Sequence, residues 1–205
     1  MTTAVTKTDI ASAAECIKRG GLVAVPTETV YGLSADAFNE TAVRRIYEVK
    51  GRPEEKPINL LVRSMADVEK VCVNIPEEAY KMAEAFWPGP LTMILKKNPR
   101  VPDIVTAGLS TVGVRAPDHA LTLSLIKQCG VPLATPSANF SGMASACTVK
   151  EVLDYFDGNI EFVIDGGECR IGVASTIVDL STDKPKILRQ GGLAREEIEK
   201  IITLY

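Results

Sequence analysis

The chain has 205 residues, 46% apolar and 24% charged, an ordinary globular composition with enough length for one buried core. A formal net charge of −3 and only 5% aromatic residues exclude a global positive field or a stacking surface that would draw the protein onto nucleic acid. Five scattered cysteines, Cys16, Cys72, Cys129, Cys147 and Cys169, never form a CxxC pair; this argues against a disulfide framework or a zinc site and fits a reducing cytoplasm.

The first nine residues, MTTAVTKTD, are polar and lack the apolar core of a signal peptide. Helical spacing of Ile10, Ala13, Ala14 and Ile17, with glycines after it, predicts a helix over 8–21. LVAV at 22–25 reads as a buried strand. Asn39 is a good N-cap for a helix over 39–51, with Val43, Ile46 and Tyr47 on one face. A strand at 58–62, helices over 64–72 and 76–87, and strands at 91–97 and 110–117 follow. A helix closes at Gly130, a strand at 131–139 runs into a loop, and a helix covers 148–158. From 161 on, EFVIDGG, STIVDL and PKILRQGG succeed one another without a long helix, a spacing that predicts antiparallel pairing. The expected architecture is α/β: a single-domain, twisted, mixed parallel and antiparallel sheet with flanking helices. No repeat, linker or apolar stretch of membrane-spanning length interrupts it.

Several common chemistries are missing. His119 is the one histidine, and its place at a predicted helix start has an ordinary structural explanation. HExxH, GxxxxGK[ST] and a GxGxxG after a strand do not occur. Runs such as EEAYKMAE and REEIEK are solvated helix faces.

What remains is a set of loops at predicted strand ends that combine hydroxyls with cations: PTETVYG (26–32), KGRPEEKP (50–57), STVGVRAP (110–117), TPSANFSGMAS (135–145), AST (174–176) and ILRQGG (187–192). Ligands of open α/β sheets sit where such loops gather. Lys50, Arg52 and Lys56 fall within seven residues; helix-dipole compensation accounts for some of that charge, while Arg also suits bidentate anion recognition. Thr135, Ser137, Asn139 and Ser141 either bind oxyanions or stabilise turns. Arg115, on a strand otherwise built of valine, needs a partner or a ligand. These residues describe an anion-binding α/β protein with a concave, positively charged cavity; a nucleotide, an amino acid or a phosphorylated metabolite fits it.

The ordered blocks PTETVYGL, KGRPxxKP, TVGVRxP, PSANxSG, STIVDL and ILRxG resemble those of the YrdC family of L-threonylcarbamoyl-AMP synthases, over about residues 10–202. The resemblance implies a single YrdC-like domain over 1–205, in the short form without an additional C-terminal domain. It implies that L-threonine and bicarbonate or CO2 give a carbamate that attacks the α-phosphorus of ATP, releasing pyrophosphate and threonylcarbamoyl-adenylate. A transferase complex would then carry the threonylcarbamoyl group to tRNAs reading codons that begin with A. Mg2+ would enter with ATP, held by its phosphates and by no protein ligand. Carried over by motif, Thr29, Arg115, Thr135 and Ser175 would bind L-threonine. Arg52, Lys56, Thr111, Ser137, Ser145 and Arg189 would bind ATP, and Lys50, Arg52, Ser137 and Asn139 would be catalytic. Leu61 stands where many relatives carry histidine, and Lys56 where asparagine is common. Two other functions are compatible with the blocks: a tRNA- or double-stranded-RNA-binding module with weak RNA affinity, and a carbamoyl-adenylate enzyme of hydrogenase maturation. Net charge and the lack of an aromatic set weigh against the first, and the lack of zinc-finger cysteines against the second.

Overall fold

Local signals set the ends of the helices. In the computed structural model, which describes residues 3–205, α1 (Ile10–Lys18) is capped by Asp9, whose side chain accepts the Ser12 N–H. α2 (Glu40–Lys50) is capped by Asn39 and ends on Gly51 at φ 57°, a left-handed conformation that favours glycine. α7 (Val149–Phe156) opens with a Thr148/Glu151 capping box, and Gly130 closes α6 (Ala120–Cys129). The remaining helices are α3 (Met65–Val71), α4 (Glu77–Phe86), α5 (Asp103–Thr106) and α8 (Arg195–Glu199).

Among the described residues, ten short strands form one mixed sheet. They are β1 (Ala4–Thr6), β2 (Val23–Val25), β3 (Gly32–Asp36), β4 (Leu60–Leu61), β5 (Leu91–Lys96), β6 (Thr111–Arg115), β7 (Leu133–Ala134), β8 (Phe162–Ile164), β9 (Thr176–Asp179) and β10 (Lys186–Arg189). Their order is β1-β8-β2-β3-β7-β4-β6-β5-β9-β10. The β1–β8, β2–β8, β4–β6 and β5–β9 pairs are parallel. The β2–β3, β3–β7, β4–β7, β5–β6 and β9–β10 pairs are antiparallel.

Apolar side chains pack in two groups. Ile10, Ala13, Ala14 and Ile17 of α1 meet Leu125 and Ile126 of α6 together with Val23, Val25 and Leu133 from the sheet. A larger group joins Val43, Ile46, Met82 and Phe156 from α2, α4 and α7 to Leu33, Leu60, Leu91, Met93 and Val114. Burying each large aliphatic side chain contributes roughly 1.5–3 kcal/mol before entropy is counted. The result is rigid strand ends from which the loops project.

The mixed sheet with flanking helices agrees with the sequence. Three elements were not expected. β1 lies in a polar segment, β3 has the sequence GLSAD with little β-branched character, and α5 is a single turn. Pairing in the last quarter also differs from the expectation. Only β9–β10 is antiparallel there, because β8 joins β1 and β2 near one edge of the sheet and β9 joins β5 near the other. The 165–175 segment therefore travels between distant parts of the sheet. On the way it meets Tyr31, whose hydroxyl donates to the Gly167 carbonyl at 2.8 Å, and Glu28, whose carbonyl accepts the Ile171 N–H at 2.8 Å. None of the helices among the described residues is long and apolar enough to cross a membrane.

Candidate active site

Paired strands bring the cations together. Leu61 lies opposite Arg115 in the β4–β6 register. Met93 lies opposite Val114, which sets Thr92 beside Arg115. Thr92 is opposite Ile177, and Ile177 is opposite Arg189. Residues opposite one another share a face, so Leu61, Arg115, Thr92 and Arg189 form a row across the sheet. All four line one cleft.

Of the residues assigned from sequence, Thr29, Arg52, Arg115, Thr135, Ser137, Ser145, Ser175 and Arg189 line this cleft. Arg115 is buried and held on three sides. Its Nε donates to the Gly89 carbonyl at 3.1 Å and its Nη1 to Thr29 Oγ1 at 2.8 Å. Its Nη2 lies 2.7 Å from Glu28 Oε1. Both of those atoms are shut off from solvent, so the ion pair is internal to the wall. Thr29 Oγ1 also meets Thr27 Oγ1 at 2.8 Å, and Thr135 Oγ1 meets Ser34 Oγ at 2.9 Å.

Arg52 donates to carbonyls, and Arg189 to a carbonyl and, at 3.3 Å, to the Ser175 hydroxyl. Arg52 donates to Lys56 O at 3.2 Å and Pro57 O at 2.9 Å. Arg189 donates from Nε and Nη2 to Ser175 O, at 3.2 and 2.8 Å. Burial lowers the pKa of all three guanidinia, and for Arg189 the nearby Arg115 charge adds to the lowering. Arginine stays protonated through such shifts. Among the described residues, Glu28 is the one carboxylate at ion-pair distance from any of the three. Ser175 is fixed by its own hydroxyl contact with Thr92 Oγ1, at 2.8 Å.

Four assigned residues stand outside the wall. Lys50 is buried beneath it, with Nζ donating to the carbonyls of Ser137 and Asn139. Its own carbonyl accepts the Ser141 N–H at 2.9 Å. Burial, with the Arg52 charge second, lowers its ammonium to about 7. Asn139 is buried too, and its Nδ2 donates to Phe140 O and Met143 O at 2.7 and 2.9 Å. Both side chains hold the 137–143 loop in shape through these contacts. Lys56 is exposed, and Thr111 begins β6 opposite Lys96, away from the row.

Thr27, Tyr31, Asn59 and Thr92 line the cleft without having been singled out in the sequence. Thr27 and Tyr31 lie inside a loop already marked by its hydroxyls. Thr92 sits in an apolar strand, and only its register beside Arg115 reveals it. Leu61, flagged as a departure, is part of the wall next to Arg115.

Comparison with known proteins adds names to this geometry. The Sua5/YciO/YrdC family model, described as "Telomere recombination", matches residues 15–191. The chain is 52% identical over 190 residues to the threonylcarbamoyl-AMP synthase of Pyrococcus abyssi, covering 93% of this chain and 56% of the relative. It is 45% identical over 194 residues to the Bacillus subtilis protein of the same name, covering 94% and 56%. It thus spans little more than half the length of either. The crystal structure of P. abyssi Sua5 complexed with L-threonine superimposes with a TM-score of 0.95 at 48% identity, over 98% of this chain and 61% of that one.

Proposed function

The chain belongs to the Sua5/YciO/YrdC family, and from that premise we propose that it is a threonylcarbamoyl-AMP synthase. Its substrates are L-threonine, bicarbonate or CO2, and ATP entering as its Mg2+ complex; its products are threonylcarbamoyl-adenylate and pyrophosphate. The observation that carries this reading is the convergence of Arg52, Arg115 and Arg189 on one hydroxyl-lined cleft, with a single carboxylate, Glu28, set against them. The named relatives and the threonine-bound neighbour supply the substrate class.

The chemistry explains why such a wall suits the reaction. A threonine carbamate carries two negative charges, and the triphosphate carries more. Bringing them together is opposed by Coulomb repulsion that rises as water leaves. Fixed guanidinium charges offset it without reorganisation, and once formed the carbamate oxygen is itself the nucleophile, so positioning matters more than a general base. Arg115, with Thr29, Thr135 and Ser175, takes the amino acid and its carboxylate. Arg52, Ser137, Ser145 and Arg189 take the nucleotide, with Lys56 and Thr111 reached only by its outer parts. Mg2+ bound with ATP would supply charge neutralisation for the leaving pyrophosphate. The carbamate oxygen bonds to the α-phosphorus as the bond to the β-phosphate oxygen breaks. The adenylate then passes to a transferase acting on tRNA, a sequence of steps that suits a cytoplasmic enzyme.

The test is incubation with radiolabelled bicarbonate, ATP, Mg2+ and L-threonine. Labelled adenylate and pyrophosphate should appear together and only with threonine present. Absence of a threonine-dependent product from folded protein overturns the reading.

A further inference from the structure

Glu28 is buried to 2% exposure and does not face the cleft, yet it touches the residue through which the cleft meets a carboxylate. We propose that Glu28 is a positioning residue: its carboxylate holds the Arg115 guanidinium in the orientation that receives the carboxylate of the amino-acid substrate. The inference rests on the assignment of Arg115 made above.

Three features of the geometry support it. First, Arg115 is itself only 7% exposed, and a guanidinium so placed without a counterion would be strongly disfavoured. Burial disfavours its charged form, and Glu28 is the main influence opposing that. With that carboxylate gone, the side chain gains by turning towards the water of the cleft, out of its row. Second, Glu28 is built in. Its Oε2 accepts the Asp118 N–H at 3.1 Å and its main-chain carbonyl accepts the Ile171 N–H at 2.8 Å, so the negative charge cannot follow a wandering arginine. Third, every nitrogen of the guanidinium has a fixed neighbour. Nη2, itself shut off from solvent, lies 2.7 Å from Glu28 Oε1. Glu28 supplies the countercharge at that buried end. Gly89 O and Thr29 Oγ1 accept from Nε and Nη1, so the orientation in which Arg115 lines the cleft is set on three sides.

The experiment is calorimetric binding of L-threonine, L-threoninamide and ATP to the intact protein and to Glu28→Gln, Glu28→Asp, Arg115→Gln and the Glu28→Gln/Arg115→Gln pair. Wild type should prefer threonine to its amide, which lacks the carboxylate. Glu28→Gln should weaken threonine binding by about tenfold or more, the scale of one disturbed charge-assisted contact. Its affinities for threoninamide and ATP should stay within about threefold of wild type, a change worth less than 1 kcal/mol. Glu28→Asp, which keeps the charge but withdraws it by one methylene, should fall between. Glu28→Gln should add no further loss in the Arg115→Gln background, since the two act as one unit. Unchanged threonine affinity, equal losses for threonine and threoninamide, or a further loss without Arg115 would each overturn the proposal. A wild type that binds threonine and threoninamide alike would instead remove the assignment of Arg115 itself. Should Glu28→Gln not fold, Glu28→Asp decides: a selective loss for threonine sustains the proposal and an unchanged affinity overturns it.

Discussion

Lys50 and Arg52, two residues apart, have separate physical tasks. Arg52 lies in the cleft wall and is tethered only to nearby loop carbonyls, so losing it should spare the fold and remove charge where the reaction needs it. Arg52→Ala should cut turnover by well over about tenfold, the effect of one preorganised electrostatic group, while urea denaturation stays close to wild type. Lys50 points into the protein and satisfies two carbonyls of the serine- and asparagine-bearing loop. Lys50→Met would orphan those acceptors, at about 1–3 kcal/mol each, and should show mainly as lost stability. Equal behaviour of the two variants would mean that the wall has been drawn in the wrong place. This distinction was not legible in the sequence, where KGR presents both cations alike. Helical phase and the αL turn at Gly51 send them different ways, and only packing decides which side is water.

Among the elements, α3 shows how a helix start is stabilised without an ordinary cap. Ser64 makes no side-chain cap bond. Asp67 instead accepts Arg63 Nε at 2.7 Å, Arg63 Nη2 at 2.9 Å and Lys70 Nζ at 2.8 Å. The Arg63 hydrogen bond, then Lys70, hold its carboxyl well below 3.8 against the opposing effect of burial. A depressed folded-state pKa contributes stability that is complete above the unfolded value and lost as pH falls through the folded one. Asp67→Asn should therefore be less stable than wild type at neutral pH, and below pH about 4 its stability should fall less steeply. Parallel slopes in acid urea titrations would refute this. The longer helices were legible, because periodicity and, for α1, α2 and α7, capping residues are local. β3 and the strand order were not. GLSAD carries no strand signature, and the insertion of β7 between β3 and β4 follows from long-range packing that no local pattern encodes. The loops at strand ends could be found because their hydroxyls and cations stand out in sequence; Thr92 could not, since it enters the site through register alone.

At the scale of the whole molecule, the cleft draws on residues from Thr27 to Arg189, nearly the full described length. A site so assembled exists only in the native state, so ligands that fill it stabilise the fold by mass action. L-Threonine with MgATP at about a hundred times their dissociation constants should add roughly 2.7 kcal/mol each at most, seen as a rise in Tm. An unchanged Tm under saturating ligand would argue that the segments do not close on a common occupant. The sheet also ends at β10, whose outer side has no neighbouring strand among the described residues and whose pairing is irregular between Ile187 and Arg189. One guanidinium of the cleft thus hangs on an edge strand, whereas Arg115 lies on β6, paired on both sides. When β10 peels away, the nucleotide end would gape while the amino-acid end stays shut. Release of the bulky product and admission of fresh ATP could then proceed through a hinged margin, leaving the pocket for the smaller substrate undisturbed.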